Sequence, residues 1–371
     1  MLKIFDETNI QTIKIVNQGT APGVVVVLPM TRVKENSLRN WERIFQIAES
    51  SNLLALVLID KTPFKQATTH FLNARLPSTT QVYILQREIT EDLYDSLLSI
   101  SIEGNTWIMQ LHDDDFWSGT IELPSDAKQN EIFPVNFSIR EKSTLNYLDW
   151  ENSPPARINF TLVPRKFWTR FTEFASAQGG HLAASTDYTL NLIARLTCDK
   201  RNNLDFDYIY DASNWKKRTL QRSQLNRLSR IDGWSNLSGT DIQLLNRTLD
   251  ALSCLYFFKS SMSHESFQIE VKKLQTSLKL SLRRKTFIQV WISILVLLVP
   301  ICAFVRNFFP LGNLHGHLQG QLIAARLVTR VSNAKSFSEI KSEILKVKDL
   351  VFLPRLEKRF EFWINNIGVS S

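Results

Sequence analysis

Three consecutive aspartates, Asp113-Asp114-Asp115, follow the mostly apolar run Thr106-Trp107-Ile108-Met109-Gln110-Leu111-His112, and Phe116-Trp117 come directly after. A run this short and apolar predicts a buried strand. Carboxylates at the carboxyl end of such a strand sit where open α/β sheets bind ligands. Side chains alternate along extended backbone, so Asp113 and Asp115 are expected on one side. Two hard oxygen donors on one side suit a divalent cation such as Mg²⁺ or Mn²⁺. Such a cation would neutralise a diphosphate. The competing reading of a bare acidic triplet is a solvated turn or a helix cap.

The elements that must position the triplet are legible on its N-terminal side. Gly23-Val-Val-Val-Val-Leu-Pro29 is a β-branched run closed by proline and predicts a central strand. Residues 37–50 carry Leu38, Trp41, Ile44, Phe45 and Ala48 at helical spacing, with Ser37 as N-cap. Residues 53–59 predict a second buried strand, ending at Asp60, and residues 82–85 a third. A helix is expected over 90–100, capped by Thr90 with Glu91 and Asp92 in its first turn. Strand, helix, strand, strand, helix, strand predicts an α/β fold: a mostly parallel sheet with right-handed crossovers, flanked by helices.

Composition sets broad bounds. The chain has 371 residues, 44% hydrophobic and 22% charged, enough for one large domain or two smaller ones. A net charge of +8 fits an anionic substrate, an anionic membrane surface or nucleic acid. Cys198, Cys254 and Cys302 are far apart and form neither a metal pattern nor a disulfide framework, which favours a reducing compartment. The first residues lack the apolar core of a signal peptide. One modest basic cluster, 216–230, without interleaved aromatics, argues against nucleic acid.

A first strand ending near Pro29-Met-Thr-Arg32, a second ending in Asp60 and a fourth ending in Asp113-Asp114-Asp115 resemble the nucleotide-sugar-binding half of GT-A glycosyltransferases. The likeness is to family 2-type bacterial enzymes. It implies a GT-A-like, Rossmann-like sheet over residues 1–235. Residues 20–120 would bind the nucleotide sugar and 121–235 the acceptor. It further implies that Asp113 and Asp115 hold the metal, as the family's Asp-x-Asp pair does, with Asp114 and Arg32 beside the donor. Asp60 would contact the nucleobase or ribose. The family's Asp-Asp-Gly-Ser after the second strand is here Asp60-Lys-Thr-Pro, a departure.

Further along, Asp187 falls in the first turn of a helix expected after Gly179-Gly-His. A helix-dipole aspartate is the plain reading. The resemblance implies a general base, since inverting GT-A enzymes open a helix with Glu-Asp or Thr-Glu-Asp and this chain has Thr186-Asp187. His181 is a rival base. Gln224-Leu-Asn-Arg227-Leu228 is similar to the Gln-x-x-Arg-Trp motif of membrane-bound synthases, minus its tryptophan, and places Arg227 at the substrate.

The remainder, 236–371, predicts a helical region. Residues 287–305 carry no charge and are long enough to span a membrane at the short end, or to form a buried or monotopic helix. Ser336-x-x-Glu339 predicts a capping box, and another helix is expected from Pro354. The expected function is metal-dependent, inverting transfer of a sugar from a nucleotide-sugar donor to a glycan or lipid-linked acceptor, in bacterial cell-surface glycan synthesis. The expected place is the cytoplasmic face of a membrane as a single-pass protein, or else the cytoplasm. Two alternatives stand beside it: a sugar nucleotidylyltransferase, and a non-catalytic membrane-associated protein of degenerate GT-A fold.

Overall fold

The computed structural model describes residues 2–5, 13–16, 23–31, 35–88, 93–104, 106–113, 115–140, 161–177, 194, 196–200, 204–211, 249, 251–281, 285–305, 307–308, 314–331, 334, 336–348 and 354–367. The chain divides into two compact units, Met1–Glu173 with Thr197–Leu220, and Phe174–Leu196 with Gln221–Ser371.

The first unit is α/β. Its strands are β1 (Leu2–Phe5), β2 (Ile13–Val16), β3 (Gly23–Met30), β4 (Ala55–Asp60), β5 (Gln81–Gln86), β6 (Ile100–Glu103), β7 (Thr106–Gln110), β8 (Phe116–Gly119), β9 (Glu131–Pro134), β10 (Asn136–Arg140), β11 (Thr161–Pro164), β12 (Asp199–Lys200) and β13 (Phe206–Asp211). Helices α1 (Glu35–Ser50), α2 (Gln66–Leu72) and α3 (Leu93–Leu98) lie between them, and α4 (Arg165–Ala177) belongs to the first unit up to Glu173. The main sheet has eight strands in the order β1-β5-β4-β3-β7-β11-β9-β12. Its first five are parallel neighbours, and β11 enters antiparallel to β7 and β9. A three-stranded sheet β10-β13-β8 and a parallel pair β2-β6 complete the unit.

The physical cause of the parallel half is plain in its composition. Val24 to Leu28 on β3 and Ala55 to Ile59 on β4 are buried throughout, as strands covered on both faces must be. Trp41, Ile44, Phe45 and Ala48 of α1 are at most 6% exposed and share the core with Trp107, Met109 and Trp117. Trp107 meets Phe133 of β9 edge-on at 5.3 Å between ring centres. Leu38, on the other hand, is 38% exposed, and Ser37 lies inside α1, which begins at Glu35.

The second unit is helical where described. Phe174, Phe257, Phe258 and Phe362 form an aromatic cluster, with Phe174 at 5.7, 6.2 and 5.2 Å from the other three. The helices α5 (His264–Ser281), α6 (Lys285–Val305), α7 (Leu314–Val331), α8 (Phe337–Lys348) and α9 (Pro354–Asn366) follow. The Ser336 hydroxyl accepts the Glu339 N–H at 3.2 Å, so the expected cap on α8 is present. α9 begins at Pro354, where a proline's missing N–H costs nothing.

The expected membrane span over 287–305 is corrected here. Among the described residues, no helix is long and apolar enough to cross a membrane. What the region does present is an apolar outer face: Val290, Leu297, Ile301 and Phe304 are all more than half exposed.

One glycine sets the packing of β8 on β13. Gly119 has φ +100°, and a Cβ there would lie 2.5 Å from the Asp205 carbonyl, which accepts the Thr120 N–H at 3.0 Å. Gly119→Ala is expected to cost about 1–3 kcal/mol in a denaturant titration. A stability within about 0.5 kcal/mol of wild type would show that this turn is not constrained as described.

Candidate functional site

The carboxyl ends of four parallel strands form one edge. Their loops are stitched together by main-chain bonds: Lys61 N–H to Met30 carbonyl at 2.8 Å, Arg87 N–H to Asp60 carbonyl at 3.0 Å, and Leu111 N–H to Val27 carbonyl at 2.9 Å. Lys61 and Arg87, the first residues past β4 and β5, are only 4% and 6% exposed. Two buried cationic side chains therefore sit at the edge where an open α/β sheet binds its ligands.

Past β7 the chain leaves the extended conformation sooner than the sequence suggests. The strand stops at Gln110, and a turn at Asp113 replaces the continued strand. Strand alternation therefore does not orient Asp113 and Asp115. Side-chain contacts do so instead. The Asn40 amide on α1 donates to the Asp113 carbonyl at 2.9 Å and to the Asp115 carbonyl. Trp41 Nε1 donates to Asp113 Oδ2 at 3.3 Å. Arg43 donates to the Trp117 carbonyl at 3.3 Å, and Trp117 Nε1 to the His112 carbonyl at 3.0 Å. Three residues of α1 thus hold the acidic loop by both its main chain and its side chains.

Asp115 is fully buried and Asp113 is 6% exposed. Asp115 Oδ2 accepts the Tyr208 hydroxyl of β13 at 2.7 Å and lies 3.6 Å from His112 Nδ1. His112 is the member of this group that reaches solvent, its side chain one-third exposed. Like charges two residues apart in a place of low dielectric repel, and removing them from water is costly. A divalent cation balances such a pair, and two carboxylates are the hard oxygen donors that Mg²⁺ or Mn²⁺ prefers. Among the described residues, no group of three or more His, Cys, Asp or Glu is arranged to hold a metal ion.

Asp60 has a different setting. It is fully buried, and its two carboxylate oxygens are engaged by the loop after β4 and by α2. Oδ1 accepts the N–H and hydroxyl of Thr62 at 2.9 and 2.5 Å. Oδ2 accepts the N–H and hydroxyl of Thr68 at 2.8 and 2.6 Å. The structure brings Asp113 and Asp115 together on one loop and places Asp60 two strands away. Arg32, Asp114, Asp187 and Arg227 lie outside the described residues, as do His181 and the 216–230 cluster.

Sequence reasoning missed Asn40, Tyr208 and the polar use of Trp41. Only Tyr208 carried a local signal: Phe206-Asp-Tyr-Ile-Tyr-Asp alternates as a half-exposed strand should.

No protein-family model matches the sequence, and no curated protein matches it. Among solved structures, the chain is similar to the crystal structure of S. aureus TarS 1-349, at 11% identity over 81% of this chain and 90% of that chain, with a TM-score of 0.34. It is also similar to the crystal structure of S. aureus TarS, at 12% identity over 86% of this chain and 54% of that chain, with a TM-score of 0.33.

Two substitutions check the local geometry. Tyr208→Phe keeps the ring and deletes the hydroxyl that Asp115 accepts, at an expected cost of about 1–3 kcal/mol by chemical denaturation. Asp60→Ala leaves four donors around one vanished carboxylate and is expected to cost more than Tyr208→Phe. The reverse ranking would contradict the bonding described for these two carboxylates.

Proposed function

We propose that this chain is a glycosyltransferase that moves a sugar from a nucleotide-sugar donor to an acceptor hydroxyl. The single observation that carries the reading is the buried pair Asp113 and Asp115, held at the carboxyl edge of a parallel sheet by α1 and β13. That edge is the general ligand-binding place of such sheets. The resemblance of the strand ends to GT-A enzymes supports the same reading.

In this proposal Asp113 and Asp115 hold Mn²⁺ or Mg²⁺, which when bound supplies Lewis acidity toward the diphosphate leaving group. The remaining work falls to the chain. Asn40 and Trp41 fix the acidic loop against α1, so that it needs no rearrangement on binding. Tyr208 restrains Asp115. Lys61 and Arg87 bring positive charge to the edge that a nucleoside diphosphate must approach. Asp114 and Arg32 flank the donor, Arg227 contacts the substrate, and Asp187 takes the acceptor's proton as general base, giving inversion at the anomeric carbon. The acceptor is a glycan or a lipid-linked glycan of the cell surface. A cytoplasmic placement fits this reading without requiring a spanning helix.

The test is a transfer assay with parallel measurement of donor hydrolysis. Asp113→Asn and Asp115→Asn should each lower both rates by at least about a hundredfold, the scale on which removal of a charge-stabilising group acts. Asp187→Ala should lower transfer by about 10²–10⁴-fold. Full activity in the Asn variants would refute the reading, and full activity in Asp187→Ala would refute the base assignment alone.

A further inference from the structure

The loop after β4 presents an aromatic ring that no packing explains. Phe64 is 94% exposed, in the connection between β4 and α2. Its backbone is left-handed, with φ +54° and ψ +23°, and Lys65 follows at φ +53° and ψ +42°. Left-handed backbone costs a non-glycine residue roughly 1–2 kcal/mol. Two such residues in succession persist only when their surroundings over-determine them, and such strain gathers at ligand sites.

The contacts around Phe64 meet that condition. Asp60 binds Thr62 and Thr68 with both oxygens and so spans the base of the loop. Thr62 Oγ1 accepts the Ala67 N–H at 3.1 Å, and the Thr62 carbonyl accepts the Lys65 N–H at 3.2 Å. Lys65 Nζ reaches across to the Arg87 carbonyl at 2.5 Å and to Glu88 at 3.7 Å. Every one of these contacts fixes the backbone on either side of Phe64, and none covers its ring.

Position adds the ligand. β3 lies between β4 and β7, so the loop after β4 stands two strand spacings, roughly 10 Å, from the loop that carries Asp113 and Asp115. That is about the reach of a nucleoside between its base and its phosphates. Asp60 has both carboxylate oxygens committed to the loop after β4 and to α2, so the group this loop offers to a ligand is the ring. We infer that Phe64 is the stacking platform for the nucleobase of the donor, and that Asp60 is the positioning residue that holds it there. The inference rests on the nucleotide-sugar reading given above. It assigns base recognition to a π face, which tolerates several bases, with selectivity left to groups around it.

Equilibrium binding to the full chain with Mn²⁺ tests it, using UDP, GDP and dTDP on one hand and inorganic pyrophosphate on the other. Phe64→Ala should weaken the nucleoside diphosphate that wild type binds by about tenfold or more. It should leave pyrophosphate binding and the melting temperature unchanged. Phe64→Trp should restore or exceed wild-type affinity, and the donor KM should rise in Phe64→Ala with little change in kcat. Equal nucleoside diphosphate affinity in wild type and Phe64→Ala would overturn the platform. So would a wild type that binds pyrophosphate as tightly as every nucleoside diphosphate. A wild type that binds none of these probes would instead sink the nucleotide-sugar reading, and the platform with it.

Discussion

Burial of two like charges on one short loop is the constraint from which the rest of the first unit follows. Asp113 and Asp115 are nearly inaccessible to water. Carboxylates in that position are tolerated only when their surroundings supply donors or positive charge. The fold answers with a helix and a strand from opposite ends of the unit. Asn40 and Trp41 come from α1, and Tyr208 comes from β13, which is 93 residues away from Asp115 in the chain. Each of those elements is in turn held by the apolar core, where Trp41, Trp117 and Tyr208 are all fully buried. Polar satisfaction and hydrophobic packing are therefore served by the same side chains.

The same logic explains why the site lies at one edge. Parallel register brings the ends of β3, β4 and β5 level, and the main-chain bonds from Lys61 to Met30 and from Arg87 to Asp60 continue that register past the strands. Loops tied in this way have little freedom to adjust, so they arrive at a ligand already ordered. Preorganisation of this kind lowers the cost of binding. It also separates the two acidic sites by role: Asp60 is committed to shaping its own loop, while Asp113 and Asp115 share a loop with a solvent-reaching histidine.

Much of this scaffold was legible in the residues. β3, β4, β5 and β7 announce themselves as apolar runs because both faces of a parallel sheet are covered. α1, α8 and α9 follow from apolar spacing, a serine cap and an N-terminal proline. The site was less legible for a physical reason. Its long-range contacts join residues 72 to 93 positions apart, and such pairs leave no periodic trace. The short strands β1, β2, β6 and β12 escaped for a related reason, since each is only a few residues long and is stabilised by a distant partner. Asp60 was half readable: the Asp60-Lys-Thr62 turn is a local side-chain-to-backbone motif, whereas its bond to Thr68 depends on where α2 docks. The strand expected to carry the aspartates ends at Gln110, so Asp113 and Asp115 are oriented by α1 and not by strand alternation, which the run of residue types could not show.

In the proposed reading Asp113 and Asp115 share a divalent cation at the sheet edge. A crystal grown with manganese and a nucleoside diphosphate, measured for anomalous scattering, would locate that ion. One strong anomalous peak is expected within coordination distance, about 2.0–2.6 Å, of carboxylate oxygens from both residues. A peak elsewhere, or nucleotide density with no peak at that loop, would contradict it.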